Sequence, residues 1–360
     1  MAIQKKNQLV GLDIGCHSIK LVEIDHARTG LVLKNLGIIG LPPNAIVEGT
    51  IKEPEVVVSA IKNLFKNLKV RNKNVAISIS GYSVIVKKIA LEKKEDSELE
   101  AVIYDEAEQY IPFDINEVNL DFDILTILND SSEEEGAQIT SEGMDVMLVA
   151  AKKDFVDDYV SLVKASELNP IVMDVDSFAL QNALELGIAE QNNCYAIVNI
   201  GAEELGINAV KNGISLFTRD SSYGGSEITR EIMSEFNITF EEAEKIKLTG
   251  TKVDKEKKSL EEIFSSVVSG WVQEIKRALD FVANTYPDES IEKIYVCGGS
   301  ARISGFRKYL ERETTIPVFE LNPFENLMVN EKLFDTRYIK YMAPQVAVAV
   351  GLALRTIGDK

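Results

Sequence analysis

The feature that most constrains the fold of this chain is a segment near its beginning, residues 9–23, with the sequence LVGLDIGCHSIKLVE. Its first apolar residues predict a buried β-strand, and the alternating apolar residues that follow predict a second strand returning beside the first. Between the strands lie Asp13, Gly15, Ser18 and Lys20. The segment therefore predicts a β-hairpin whose turn carries several closely spaced polar groups.

The turn residues supply the groups that a triphosphate with Mg²⁺ requires. Gly15 lets backbone amides approach an anion closely, and Ser18 and Lys20 add a hydroxyl and a positive charge. Asp13 is suited to hold Mg²⁺ through its water shell. We therefore predict that this first loop, residues 13–20, binds phosphate and that Asp13 is the metal residue. These residues alone leave open an ordinary glycine-containing hairpin with surface polar groups.

A second copy of this hairpin occurs in residues 194–220. An apolar strand leads to an Asn-Ile-Gly turn, a second strand, another turn and a third strand, in the order seen after the first loop. Repetition of one design indicates an internal duplication. The second loop, residues 199–203, is therefore predicted to face the first across a bound nucleotide. Its predicted binding residues are Asn199, Gly201, Ala202 and Glu203.

A third segment has the pattern of a loop that binds a flat ring. Residues 291–296 form a short apolar run that predicts a strand, and a predicted helix begins at about Ser304. Between them, the third loop (residues 298–301) contributes two adjacent glycines. Glycines after a strand leave bare backbone against which a ring can lie. The residues predicted to bind here are Gly298, Gly299 and Ser300.

The three loops, in this order, resemble those of the actin-like ATPase superfamily. Within it, residues 89–125, with the sequence IALEKKEDSELEAVIYDEAEQYIPFDINEVNLDFDIL, are similar to the PilM family of type IV pilus assembly, which is related to FtsA. The resemblance implies an α/β fold. It consists of actin-like (ribonuclease H-like) duplicated domains with a small inserted α+β domain in the first half.

The resemblance also implies how the chain is divided. The predicted parts are a first actin-like subdomain at residues 1–85 (with parts of 171–190 and the C-terminal helix 343–357), a small inserted partner-binding domain at 86–170, and a second actin-like half at 191–342 that includes a helical subdomain at about 223–285. Within the insert, the acidic residues 129–143 predict a solvated, mobile hairpin loop. Within the helical subdomain, Trp271 is predicted to lie in the core of a long helix.

For function, the resemblance implies a cytoplasmic adaptor of type IV pilus assembly that binds ATP and Mg²⁺. Its implied partner is the cytoplasmic N-terminal tail of the inner-membrane protein PilN, and other pilus inner-membrane and motor components, as well as self-association, are further expectations. Membrane contact is expected only through partners, at the inner face of the cytoplasmic membrane. The implied residues that bracket the adenosine are Glu244 and Lys247, for which a solvated helix face is the alternative.

An extended PilN tail is predicted to lie in a groove beside strand 84–91 and helix 97–110, where backbone pairing and apolar pockets would hold it. The predicted partner-binding residues are Val84, Val86, Leu99, Val102 and Ile103.

The second loop departs from the hydrolysing members of the superfamily. Asn199 stands where many of them carry an acid, and residues 201–205 contain no serine or threonine. An amide cannot act as a base or bring negative charge to the metal shell. Nucleotide binding is therefore predicted, with ATPase activity weak or absent. Asp176 and Gln181 lie near the nucleotide by chain order, without a local signal that assigns either a role.

Composition disfavours several other classes of protein. A formal net charge of −18 repels nucleic acid and anionic lipid. The three cysteines lack metal-ligand spacing and are predicted to be reduced and buried. No run of about 18 apolar residues predicts a transmembrane helix. Two alternatives stay open: an FtsA-like polymerising division protein, whose amphipathic tether the terminal ALRTIGDK does not resemble, and a small-molecule kinase.

Overall fold

The protein is described by a computed structural model that covers residues 8–92, 96–128, 143–187, 194–249 and 257–359. The predicted acidic hairpin loop at 129–143 lies outside these residues except for Gly143, which begins a strand. The helices and strands agree closely with the sequence patterns, and they form two halves of similar design and a smaller insert.

The elements of the first half and the insert, in chain order, are β1 (Val10–Ile14), β2 (Ser18–Ala27), β3 (Gly30–Gly40), β4 (Ile46–Val47), β5 (Thr50–Ile51), α1 (Pro54–Leu68), β6 (Asn74–Ile79), β7 (Val84–Glu92), α2 (Asp96–Ala107), β8 (Val118–Leu128), β9 (Gly143–Lys152), α3 (Lys153–Ala165), β10 (Asn169–Val175) and α4 (Asp176–Glu185). Those of the second half are β11 (Cys194–Ile200), β12 (Leu205–Lys211), β13 (Ile214–Ser221), α5 (Gly225–Phe236), α6 (Phe240–Thr249), α7 (Lys257–Thr285), β14 (Lys293–Cys297), α8 (Phe306–Thr314), β15 (Val318–Glu320), α9 (Thr336–Met342) and α10 (Ala347–Ala353).

The two halves contain sheets of the same topology. The first sheet has the order β10-β6-β1-β2-β3 and the second has the order β13-β12-β11-β14-β15. In each, three antiparallel strands follow one another along the chain, and the first of them pairs in parallel with a later strand. The predicted duplication is confirmed by this match, because the first and second loops occupy the same turn in their respective sheets.

Two helices join the halves. α4 and α10 contribute to one buried cluster that also contains residues of both sheets, among them Ala76 and Ile197. The packing is close enough to require glycine: a Cβ atom on Gly11 would lie 2.0 Å from the Ala349 carbonyl oxygen, and one on Gly351 would lie 1.7 Å from the Ala179 carbonyl oxygen. The predicted helix 343–357 is a 3₁₀ turn followed by α10, which ends at Ala353. These helices form the floor between the halves.

The insert is a three-stranded sheet of order β7-β9-β8 with α2 on one face. Its first strand starts at Val84, directly after a short connection from β6 of the first sheet. Helix α3, which the predicted unit 86–170 included, instead packs with α1 through Tyr159, Leu162 and Val163. Strand β10 likewise pairs with β6. The three-stranded sheet therefore leaves and rejoins the first half at residues 84 and 152.

Helix α7 confirms the predicted long helix of the second half. Trp271 is fully buried and meets the ring of Phe306 edge-on, with 5.9 Å between the ring centroids. In the described parts of the chain, none of the helices combines the length and the apolar character needed to cross a membrane.

Candidate nucleotide-binding cleft

A cleft of about 1220 Å³ opens between the two halves. Ligand pockets usually enclose roughly 300–1,000 Å³, so the cleft is large enough for a nucleotide. All of the residues predicted to bind the nucleotide line it: Asp13, Gly15, Ser18, Lys20, Asn199, Gly201, Ala202, Glu203, Glu244, Lys247, Gly298, Gly299 and Ser300. Tertiary folding thus brings together residues from four separate segments of the chain.

The first loop is a tight turn with its charged groups held in place. Asp13 and Lys20 are opposite each other in the β1–β2 register, and Lys20 Nζ lies 3.2 Å from Asp13 Oδ2. The amide of Gly15 donates to the Ser18 carbonyl oxygen at 3.2 Å, which closes the turn. A Cβ atom on Gly15 would lie 3.0 Å from Lys20 Nζ. The loop therefore presents one cation and one carboxylate to the cleft.

The second and third loops are fastened to each other. The Ser300 hydroxyl donates to the Gly201 carbonyl oxygen at 2.7 Å. Gly298 has φ +88°, a conformation that side chains rarely adopt, and a Cβ atom there would lie 2.3 Å from the Ile200 carbonyl oxygen. This close approach explains why the position is glycine. The result is a continuous surface of backbone along one wall of the cleft.

Glu244 and Lys247 form a polar network on α6. Lys247 Nζ lies 2.5 Å from Glu244 Oε1 and donates to the Thr229 hydroxyl at 2.8 Å. The helix begins with the predicted capping box, because the backbone amide of Glu242 donates to Thr239 Oγ1 and the Glu242 carboxylate accepts from the Thr239 amide. Glu244 and Lys247 both line the cleft, and each side chain is only 15% exposed. The predicted alternative of a solvated helix face therefore does not describe them.

Sequence reasoning assigned no role to a group of partly buried carboxyls at the back of the cleft. Asp176, Glu204 and Asp220 come from α4, from the residue after the second loop, and from β13. Burial and the charge of Asp13 raise the pKa of Asp176 to about 7, and burial also raises the pKa of Glu204 and Asp220. The available sequence signal was a carboxylate directly after a buried strand at Asp176.

The nearby Gln181 does not line the cleft. Its side-chain amide donates to Glu185 at 2.9 Å and to the Gly213 carbonyl oxygen at 2.7 Å. These bonds tie α4 to the β12–β13 turn, so Gln181 has a structural role.

A second missed group lies beside the third loop. The Arg302 guanidinium stacks over the Tyr341 ring at 4.1 Å and donates to Gln345 Oε1 at 2.8 Å, and all three residues line the cleft. The stack places a flat cationic surface next to the paired glycines. No spacing pattern in the sequence indicates this group, because Arg302 lies far along the chain from its two partners.

The profile of a family described as "Type IV pilus assembly protein PilM" matches residues 11–357. The chain belongs to this family. A solved "PilM-PilN type IV pilus biogenesis complex" is similar to it with 30% identity and a TM-score of 0.83, covering 96% of this chain and 98% of that chain.

More distant structures share the actin-like fold with this family member. The ethanolamine utilization protein EutJ from Carboxydothermus hydrogenoformans is 17% identical with a TM-score of 0.57, covering 96% of this chain and 89% of that chain. MreB 5 of Spiroplasma citri bound to AMPPNP is 14% identical with a TM-score of 0.51, covering 94% of this chain and 98% of that chain. The predicted actin-like fold and PilM resemblance are thus confirmed.

The predicted partner-binding residues of this PilM family member differ in exposure. Val84 is buried and Ile103 is fully buried, whereas Val86 and Val102 are half-buried. The backbone of Leu99 belongs to α2, but its side chain lies outside the described residues. Ile103 packs in the insert's own core, so in this conformation it supports the sheet and does not reach a partner. Of the two half-buried residues, Val86 packs against the core of the first half, and Val102 lies on α2.

The first loop and the back of the cleft fit Mg²⁺ in its usual mode. Among the residues that the structure describes, no group of three or more histidine, cysteine or acidic side chains is arranged to hold a metal ion. Mg²⁺ typically keeps several waters and uses one or two carboxylates together with substrate phosphates. Asp13 and Asp176, which both line the cleft, supply carboxylates of that kind.

Proposed function

We propose that this chain is a nucleotide-binding adaptor of type IV pilus assembly. In this proposal, the cleft binds ATP with Mg²⁺, and the insert binds the cytoplasmic N-terminal tail of a PilN-type inner-membrane protein. The observation that carries the proposal is the convergence of all three predicted loops on one cleft that is large enough for a nucleotide.

The cleft offers complementary groups for each part of the ligand. Backbone amides of the first two loops and the Lys20 ammonium suit the phosphates. Asp13, with Asp176, would hold hydrated Mg²⁺. The metal ion would offset the negative charge of the phosphates, which would otherwise lie close to these carboxylates. The bare backbone of Gly298 and Gly299 suits the base and ribose, with Glu244 and Lys247 on the opposite side. MreB 5 of Spiroplasma citri, which has a similar fold, was solved with bound AMPPNP, which supports nucleotide binding here.

Binding is better supported than hydrolysis. Asn199 lacks the negative charge and basicity of a carboxylate, and its Oδ1 accepts a weak bond from the Cys297 thiol at 3.8 Å. We propose that ATP acts here as a bound effector with weak or absent turnover.

The partner proposal rests on the family and on the insert. The similar PilM structure was solved in complex with PilN, and its match extends over nearly the whole of both chains. Through such a partner the protein would sit at the inner face of the cytoplasmic membrane, in contact with other inner-membrane and motor components. Self-association is compatible with this role.

Nucleotide binding is tested by titrating the purified protein with ATP in the presence and absence of Mg²⁺ by calorimetry. Asp13→Asn keeps the side-chain size and removes the charge, so it should weaken binding of Mg-ATP and leave metal-free ATP less affected. Asp280→Asn on the exposed face of α7 is the matched control. Equal affinity of the wild type and Asp13→Asn for Mg-ATP would show that Asp13 does not hold the metal ion.

Partner binding is tested with a synthetic peptide of the cognate PilN tail. Val86→Ala and Val102→Ala should weaken binding of the peptide, whereas Ile124→Ala on strand β8, 37% exposed, is the control within the same insert. Unchanged affinity in both variants would place the tail elsewhere on the protein.

A further inference from the structure

The connection from the first half to the insert is held by three carboxyls. We name residues 78–83 the hinge segment. The Ser78 hydroxyl donates to Asp176 Oδ1 at 2.5 Å, and the Gly81 amide donates to Asp220 Oδ2 at 2.8 Å. Between them, Ser80 forms a side-chain hydrogen bond with Glu204. Successive donors of one short segment therefore meet acceptors from three separate elements.

The acceptors belong to the walls of the cleft or lie directly behind them. Asp176 and Glu204 line the cleft, and Glu204 follows the second loop immediately. Asp220 lies on β13, opposite Gly206 of β12. A Cβ atom on Gly206 would lie 3.0 Å from Asp220 Oδ1. One oxygen of Asp220 thus faces the strand that leaves the second loop, while the other accepts from the hinge segment. The Asp220 side chain therefore lies between the strand that leaves the second loop and the Gly81 amide.

The other end of the hinge segment holds the insert. The Val84 amide donates to the Gly81 carbonyl oxygen at 3.0 Å, and the Lys152 amide donates to the Ser83 carbonyl oxygen at 3.1 Å. Val84 starts β7 and Lys152 ends β9. Both strands that connect the insert to the rest of the chain are therefore bonded to this segment.

The electrostatics make this junction responsive to a ligand. The three acidic residues are partly buried, and mutual repulsion adds to burial in raising the pKa of Asp176 and Glu204. The charged groups that face them are Asp13 and Lys20 of the first loop. A bound phosphate or Mg²⁺ beside the first two loops changes the potential at these carboxyls, because interactions in a buried site are weakly screened.

We propose that the hinge segment and its bond to Asp220 transmit nucleotide occupancy of the cleft to the partner-binding insert. This link rests on the proposed function, since it requires both a nucleotide and a tail. It gives that function a physical route: the second loop contacts the ligand and leads into β12, β12 pairs with β13 at Gly206 and Asp220, Asp220 holds Gly81, and Gly81 sets the position of β7. A hinge of a few residues at the end of an element is the usual way to absorb such a movement.

The test compares the affinity for the PilN-tail peptide with and without Mg-ATP in the full-length protein. Coupling free energies between sites commonly correspond to roughly 5- to 150-fold changes in affinity, and the wild type is expected to fall in that range. Asp220→Ala removes the acceptor for Gly81 and should bring the ratio within about twofold of one. Asp220→Asn keeps an acceptor oxygen and should retain the coupling. Asp280→Ala, an exposed aspartate of α7, is the matched control.

Amide hydrogen exchange gives a second measurement that needs no peptide. In the wild type and in Asp280→Ala, Mg-ATP should change the protection of the amides of Gly81 and Val84, because the first donates to Asp220 and the second donates to the Gly81 carbonyl oxygen. In Asp220→Ala that response should be lost, while Mg-ATP affinity, measured separately, shows that the cleft is still folded and occupied.

The outcomes separate the link from the function on which it rests. Loss of coupling in Asp220→Ala, with retention in Asp220→Asn, supports the link. Coupling in Asp220→Ala equal to that of the control, with both ligands binding, refutes the link and leaves the adaptor function intact. Binding of both ligands to the wild type without any coupling also refutes the link. A wild type that binds neither ATP nor the peptide refutes the proposed function and the link with it.

Discussion

Gly298 is the position at which a single methyl group should damage the cleft most directly. Its φ and ψ of 88° and 163° lie in a region that is essentially restricted to glycine, and holding another residue there costs about 1–3 kcal/mol. A Cβ atom would also lie 2.3 Å from the Ile200 carbonyl oxygen and 2.6 Å from Asn199 Oδ1. The first of these contacts is with backbone and is therefore hard to relieve.

The strain must move the third loop away from the second. β14 pairs with β11 up to Cys297 and Asn199, and the Gly298 amide donates to the Pro344 carbonyl oxygen at 2.8 Å. In Gly298→Ala these contacts are displaced in the ligand-free protein, and nucleotide binding has to restore them. If the full strain energy of about 1–3 kcal/mol is subtracted from the binding free energy, the affinity for Mg-ATP falls roughly 5- to 150-fold. Calorimetric titration measures this change directly.

The neighbouring glycine is the control. Gly299 has no positive φ, and a Cβ atom there would lie 3.7 Å from the Gln345 side chain, an ordinary contact distance. Gly299→Ala should therefore bind Mg-ATP within about threefold of the wild type, and thermal unfolding of both variants would show whether each is folded. Equal losses of affinity in the two variants, or none in Gly298→Ala, would refute the reasoning from backbone geometry.

Three further predictions concern charge, pH and packing. Lys20→Ala should weaken Mg-ATP binding about tenfold or more, because it removes the first-loop cation, whereas Lys34→Ala, whose exposed ammonium bonds Glu23 at 2.6 Å, should not. The pKa of Asp176 is raised from 3.8 to about 7 in the folded protein, so between these pH values the folded state keeps a proton that the unfolded state releases. The free energy of unfolding should therefore fall as the pH rises from about 4 to about 7, and Asp176→Asn should reduce this fall. Trp271→Ala should lower the free energy of unfolding by about 3–5 kcal/mol.

Each of these has a direct measurement and a contradicting result. Calorimetry with Mg-ATP tests Lys20, and equal effects of both lysine variants would contradict a phosphate contact. Denaturant unfolding at several pH values, in EDTA and without nucleotide, tests Asp176. Parallel pH profiles of wild type and Asp176→Asn would show that this carboxyl ionises normally. Denaturant unfolding also tests Trp271, where a loss under about 1 kcal/mol would contradict its place in the core.

Most of the cleft was predictable because its loops are encoded locally. The alternating apolar residues and the glycines around Asp13 and Gly201 specify hairpins within a few residues of chain, and a repeated hairpin indicates a repeated fold. The capping box at Thr239 is similarly local and is present as predicted. The insert was less predictable in detail: helical periodicity placed Ile103 on an apolar face, but it could not distinguish a face toward a partner from the fully buried face that the structure has.

The sequence by itself therefore determined the three loops, the duplicated halves and the family, since each depends on short-range patterns of residue type. Only the tertiary structure decided which side chains meet behind those loops. Asp176, Glu204 and Asp220 are separated along the chain, and nothing in the sequence near any one of them identifies Ser78 or Gly81 as its partner. They meet because α4, β12–β13 and the hinge segment pack at the junction of two sheets. Their burial and raised pKa values are properties of that junction alone.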